Sequence, residues 1–224
     1  MPDALPPPGP PKRAPQARDP RATQQGILDA AFIEFTDHGL SGARVDAIAA
    51  RTGTNVRMIY YYFGSKDGLY CAVLEQAYTA MRLTERTLNL EALSPADAIR
   101  RLVEFTFDYQ EANPRLSRLV TIENIHRAEH IARSETIQAL NATIIATIAT
   151  IAAVLARGQR DGAFRPDATP VGLHLLMTSF SFFRVANRHT LGAIFQQDPL
   201  DPALRDGHRR MIVEAVLGYL QHGR

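Results

Sequence analysis

The chain has 224 residues, of which 46% are hydrophobic and 21% charged, enough apolar material for a packed core in one or two globular domains. A formal net charge of only +2 does not by itself mark a nucleic-acid binder, so the distribution of charge has to be read locally. The single cysteine, Cys71, excludes an intrachain disulfide framework and fits a reducing compartment, so a cytoplasmic location is expected.

Residues 1–20 hold eight of the fourteen prolines together with Lys12, Arg13 and Arg18, and lack the continuous apolar segment of a signal peptide. They are expected to be a disordered, proline-rich basic arm. Such an arm is either a solvated leader or a tether whose Arg13, Arg18 or Arg21 reaches phosphates or a minor groove. A first helix is predicted from near Thr23 to Gly39, because Ile27, Ala31 and Phe35 step by four, as do Leu28 and Phe32.

The stretch Val45 to Leu69 reads as a helix-turn-helix followed by a capped third helix. Val45, Ile48 and Ala49 recur at helical spacing, Gly53 can take the positive φ of a tight turn, and Asn55 is a good N-cap. The second helix is predicted over Val56 to about Phe63, with Ile59 and Phe63 inward and Arg57 on the first turn, where recognition helices present side chains to base edges. Three consecutive tyrosines, Tyr60 to Tyr62, cannot all face inward at about 100° per residue, so one or two must be exposed. Lys66 opens the next helix, where a cation opposes the helix dipole and a bound phosphate would relieve the conflict. From Gly39 to Lys66 the cations Arg44, Arg51, Arg57 and Lys66 face the one carboxylate of Asp46, net +3. Charge is focused where the motif lies.

Val45-Asp46-Ala47-Ile48-Ala49, Gly53, Ile59-Tyr60-Tyr61-Tyr62-Phe63 and Ser65-Lys66-Asp67 closely resemble the signature of the TetR family of bacterial transcriptional regulators, with the match strongest from about Ile27 to Tyr70. The resemblance implies an all-α homodimer that grips double-stranded operator DNA through its N-terminal domain and releases it when a small-molecule effector binds the C-terminal domain. It places Asn55, Val56 and Arg57 at base and nearby backbone contacts, and Tyr61, Tyr62 and Lys66 at phosphates. Arg44, also a DNA-contact candidate, stands where the family often has a Thr or Ser helix cap; Ser41 is the nearest replacement. The expected division is 1–20 arm, 21–66 helix-turn-helix DNA-binding domain and 67–224 helical ligand-binding and dimerisation domain.

Farther along, Ser65 caps a long helix through roughly Thr87, Ser94-Pro95 opens one that stops by Pro114, and Pro114 opens the next. Thr169-Pro170 and Asp201-Pro202 repeat the cap-plus-proline pattern and predict helices over about 170–187 and 202–221. Thr136 to Ala156 is uncharged for twenty-one residues, long enough for a membrane span, but its scattered Gln138, Asn141, Thr143, Thr147 and Thr150 point instead to a central buried helix. No membrane partner is expected. Nothing alternates with period two for long, so the fold is read as all-α.

The last two helices carry Leu173, Leu175, Leu176, Met177, Phe180, Phe182 and Phe183, then Met211, Ile212, Val213, Val216, Leu217, Tyr219 and Leu220. A monomer would struggle to bury both sets, which predicts a homodimer through a four-helix bundle, although some of these residues must form monomer core. Candidate effector contacts are aromatic or polar groups on otherwise apolar helices: Phe105, Tyr109, Asn124, His126, Asn141, His174, Phe180 and Arg184. The C-terminal half loosely resembles repressors of catabolic operons, including those for nicotinate and pyrimidine breakdown, in Glu123-Asn124, Asp161 to Arg165 and Ala186 to Leu191. A small organic acid or heteroaromatic metabolite is the expected effector.

No phosphate-binding glycine loop, nucleophile elbow, cysteine pair or His-Glu-x-x-His sequence occurs, and no catalytic residue, metal or cofactor is expected. The alternative is a metal-binding helical-bundle enzyme. Its support is Glu123-x-x-His126, a spacing that di-metal bundles use twice, and His126 with His130 one helical turn apart.

Overall fold

The computed structural model describes residues 19–221, apart from the side chains of residues 82, 85, 86 and 136–147. Eleven α-helices and no strand are found among the described residues: α1 (Pro20–Gly42), α2 (Val45–Thr52), α3 (Val56–Phe63), α4 (Lys66–Glu85), α5 (Pro95–Ala112), α6 (Pro114–Ile125), α7 (Glu129–Arg133), α8 (Glu135–Arg160), α9 (Pro170–Ala186), α10 (Arg188–Phe195) and α11 (Pro202–Gln221). Two 3₁₀ turns, Arg86–Leu88 and Leu90–Ala92, join α4 to α5. The fold is all-α. The rest of the arm, residues 1–18, lies outside the described residues.

The caps explain the boundaries. Ser94 Oγ accepts the Asp97 N–H and Thr169 Oγ1 the Gly172 N–H, each at 3.2 Å, while Pro95 and Pro170 occupy the first helical position and forgo no bond. Asp19-Pro20 works the same way: Asp19 accepts from Arg21 N–H, so α1 begins three residues before Thr23. At its other end the helical conformation breaks at Gly39 (φ 70°), and one more turn follows to Gly42.

Two hydrophobic clusters form. One gathers Ile27, Ala31 and Phe35 of α1, Ile48 of α2, Ile59 of α3 and Leu69, Val73 and Leu74 of α4, and it also takes in Leu119 of α6. The other gathers α5, α8, α9 and α11 around Leu102, Phe107, Ile151, Leu155, Met177, Val216 and Leu220. α4 therefore runs out of the first cluster toward the second, and α6 reaches back to the first. Cys71 on α4 is half-buried; desolvation and the Glu75 carboxylate push its thiol up.

Most of the expected central buried helix, Thr136 to Ala156, lies outside the described side chains. α8 buries Ile151, Val154 and Leu155 along one stripe, whereas Ala149, Thr150 and Ala153 are exposed. α7 and α10 were not foreseen; α7 is a five-residue turn without a periodic run, and α10 buries nothing fully. Between α6 and α7, Arg127 and Ala128 both adopt φ 57°, a left-handed corner that costs non-glycine residues free energy. That corner takes His126 and His130 off a common helix. Glu123, itself 1% exposed, holds the corner by accepting the His130 and Ile131 N–H groups at 2.9 and 3.0 Å and pairing with His130 Nδ1 at 3.1 Å. It caps α7 from a distance.

Candidate nucleic-acid interface

α1 supports α2 and α4, and α3 lies across the end of this unit, fixed by a short turn. Gly53 adopts the left-handed conformation (φ 62°, ψ 26°), and the Thr54 N–H returns to Ala49 O at 3.1 Å. Asn55 then caps α3 by accepting the Met58 N–H at 2.9 Å. On the far side of α3, Ser65 caps α4 through the Gly68 N–H at 2.9 Å. There α3 and α4 approach so closely that a Cβ on residue 68 would sit 2.1 Å from the Phe63 carbonyl oxygen. Only glycine fits.

These constraints orient α3. Ile59 is fully buried while Arg57 is exposed and makes no ion pair among the described residues, and Tyr61 is 77% exposed. Successive residues turn by about 100°, which sets Tyr60 and Tyr61 on the Arg57 face and Tyr62 about 140° away from it. Accordingly Tyr60 is 42% exposed, whereas Tyr62 is half-buried against the first cluster and edge-on to Tyr61 at 5.4 Å. Val56 is also partly buried against that cluster. The sequence reading missed Tyr60, although counting three residues on from Arg57 finds it.

Arg44 and Lys66 both have protein partners. The Arg44 guanidinium pairs with Asp46 at 2.6 Å and, through that hydrogen bond, holds the Asp46 carboxyl below its usual range; both side chains are largely exposed. Lys66 Nζ donates to the backbone O of Ser41 at 3.2 Å; Ser41 lies within the last turn of α1, and the N-cap position of α2 is Arg44. The Arg44 side chain makes no cap hydrogen bond. The missing acceptor comes from α1: Glu34, 4% exposed, accepts the Arg44 N–H at 3.1 Å and lies 3.8 Å from Arg51 and 3.9 Å from His38. Glu34 falls seven residues after Ile27 on the apolar stripe of α1, a position where a carboxylate signals a specific bond.

The eight candidate effector contacts are spread over α5, α6 and its C-terminal end, α8 and α9. Phe105 and Tyr109 stack along α5 at 5.5 Å, and Tyr109 lines a groove beside α1 and α4. Asn124 is exposed with its amide on Val120 O, and His126 is half-buried against the His130 ring at 5.9 Å. His174 is half-buried near the start of α9, and Asn141 lies outside the described side chains. Phe180 meets the His208 ring edge-on at 5.6 Å. Arg184, 3% exposed, donates to Glu111 at 2.6 Å and Pro199 O at 3.1 Å and lies over the Phe107 ring, so its charge is already matched. Among the described residues no group of three or more His, Cys, Asp and Glu side chains is placed to hold a metal, and no helix is long and apolar enough to cross a membrane.

Comparison with known proteins agrees with this architecture. Residues 27–73 match the family of bacterial regulatory proteins, tetR family, and residues 95–216 match the tetracyclin repressor-like C-terminal domain. The HTH-type transcriptional repressor NicS of Pseudomonas putida is 34% identical over 186 residues, 83% of this chain and 86% of that protein. A second repressor, SCO4008 of Streptomyces coelicolor, is 37% identical over 130 residues, 52% of this chain and 63% of that one. Among solved structures, the putative transcriptional regulator SCO4942 of Streptomyces coelicolor superimposes with a TM-score of 0.66 at 30% identity, covering 90% of this chain and 99% of that one. The chain is a transcriptional regulator and belongs to the TetR family.

Proposed function

We propose that the protein is a homodimeric, cytoplasmic repressor that binds a palindromic operator and is released by a small-molecule effector. The observation that carries DNA binding is the outer face of α3, where Arg57, Tyr60 and Tyr61 are exposed while Ile59 on the opposite face is buried. Arg57 meets base edges in the major groove, and Tyr61 with Lys66 holds phosphates. Repression, rather than activation, is supported by the relatives that are named repressors.

Dimerisation is supported by an apolar surface on the last helices. Val171, Leu175 and Phe183 on α9, Ile194 and Phe195 on α10, and Met211 and Tyr219 on α11 are all exposed. Burying that surface against a second copy would align two α3 helices with half-sites about 34 to 36 Å apart. The functional division follows as proposed above, with residues 21–66 gripping DNA and 67–224 serving dimerisation and effector binding. The metal-enzyme alternative has no observation in its favour, since Glu123 and His130 bond each other and hold α7.

The test is to incubate the pure protein with fragmented genomic DNA and sequence what it retains. An enriched inverted repeat with half-sites one helical turn apart is the expected result; retention without any shared sequence would overturn the operator reading.

A further inference from the structure

α1 begins beside the turn that leads into α3. Asp19, Ala22, Thr23 and Gly26 line one cleft with Arg51 and Thr52 at the end of α2. Gly53 follows directly, and Asn55 then caps α3, whose first turn holds Arg57. The chain that precedes α1 therefore joins the fold near the Arg57 end of α3. That junction is fixed: Asp19 Oδ1 accepts the Arg21 N–H at 3.0 Å, and Asp19 O accepts the Thr23 N–H at 2.9 Å and its hydroxyl at 3.0 Å. It is also open, since Asp19, Pro20 and Arg21 are all exposed.

The sequence that leads to this junction suits a polyanion. Residues 4–18 contain Lys12, Arg13 and Arg18 and no carboxylate, net +3. Six of those fifteen residues are proline, which offers no backbone N–H to a helix or a sheet ladder. Reach then decides the target. Arg18 stands two residues before Pro20 and Arg13 seven, and seven residues span at most about 23 Å. One turn of duplex is about 34 Å, so a minor groove lies about 17 Å along the axis from the major groove that α3 enters.

We propose that residues 12–18 form a second DNA-reading element, with Arg13 in the minor groove next to each half-site and Arg18 on a phosphate at its edge. A guanidinium suits that groove because it is more weakly hydrated than an ammonium, and the negative potential is strongest where A·T tracts narrow the groove. Proline restricts the free chain as well, so the segment loses less conformational freedom on docking. Each subunit then grips two adjacent grooves, α3 in the major and the arm in the minor. The inference rests on the DNA-binding role proposed for α3.

The experiment uses the full-length protein, Arg13→Ala and Arg18→Ala on the duplex retained from genomic DNA. Hydroxyl radicals cleave from the minor groove, and dimethyl sulfate reports guanine N7 in the major groove. At saturating protein the wild type should protect one minor-groove tract about half a helical turn from the centre of each half-site. Arg13→Ala should leave that tract open while keeping the guanine protection, and should bind about tenfold more weakly. Arg18→Ala should lower the salt slope by about two, one phosphate per subunit. Both variants keep Asp19 and Pro20 and should melt with the wild type. A wild type without the minor-groove tract, an Arg13→Ala protein that retains it, an unchanged salt slope for Arg18→Ala, or a lowered melting temperature overturns the arm and leaves the role of α3 standing. A wild type that protects neither groove overturns the proposed function and the arm with it.

Discussion

Replacing Glu34 tests how the DNA-binding unit is held together. Its carboxylate is the acceptor that the start of α2 lacks locally, since Arg44 offers no side-chain cap. Glu34→Ala leaves the partly buried Arg44 N–H without a partner, which costs about 1–3 kcal/mol. Loss of the attraction to Arg51 adds little, because the Arg51 side chain is 47% exposed and solvent screens the pair. A total near 2 kcal/mol lowers the melting temperature by roughly 4–8 °C for a chain of this size. Glu34→Gln keeps an oxygen at the same place and should cost less than about 1 kcal/mol. Thermal unfolding followed by circular dichroism measures both. A Glu34→Ala protein melting with the wild type refutes distant capping, and a Gln variant as damaged as the Ala variant shows that charge, not the hydrogen bond, matters.

Three further outcomes are expected. Gly68→Ala forces a Cβ against the Phe63 carbonyl oxygen and should destabilise by about 1–3 kcal/mol, read as a lower urea midpoint; a wild-type midpoint contradicts the close packing of α3 on α4. Leu175→Asp and Phe183→Asp should sediment as folded monomers, whereas Leu217→Asp, 7% exposed within the second cluster, should unfold the chain; an intact dimer of the first two moves the interface elsewhere. His208 is held below its ordinary range by desolvation first and then by the Arg184 charge. The unfolded chain then binds the proton more readily than the folded one, so stability is full above the ordinary histidine range and falls as pH drops through about 6.5 toward the lower folded value. His208→Gln should flatten that part of the urea-midpoint profile, and an unchanged slope would assign it to another group.

Local signals were legible in the sequence and distant ones were not. Ser94-Pro95, Thr169-Pro170 and Asp201-Pro202 marked helix starts because cap and proline act within one turn, and α5, α9 and α11 begin at those prolines. The turn at Gly53 and the cap at Asn55 were equally local. Glu34 serving α2 across ten residues, and Glu123 capping α7 beyond a left-handed corner at Arg127 and Ala128, are tertiary choices that helical spacing cannot reveal. The same holds for the effector candidates. Periodicity finds a polar or aromatic group on an apolar helix, but whether Arg184 faces a ligand or Glu111 depends on α5 and α9 meeting there. The apolar load of α9 and α11 was visible as a total. Its division between core, as at Met177 and Val216, and exposed surface, as at Leu175 and Met211, needed the packed helices.

The most direct test of the DNA-binding claim is fluorescence anisotropy of Arg57→Ala on the captured operator and on a scrambled duplex, beside Lys66→Ala across a salt series. Arg57→Ala should lose about 1–3 kcal/mol per half-site contact on the operator alone, and so lose sequence preference. Lys66→Ala should weaken both duplexes alike and lower the salt slope by about two, one phosphate per subunit. An Arg57→Ala protein that keeps the wild-type preference for its operator would contradict the assignment of α3 as the helix that reads DNA.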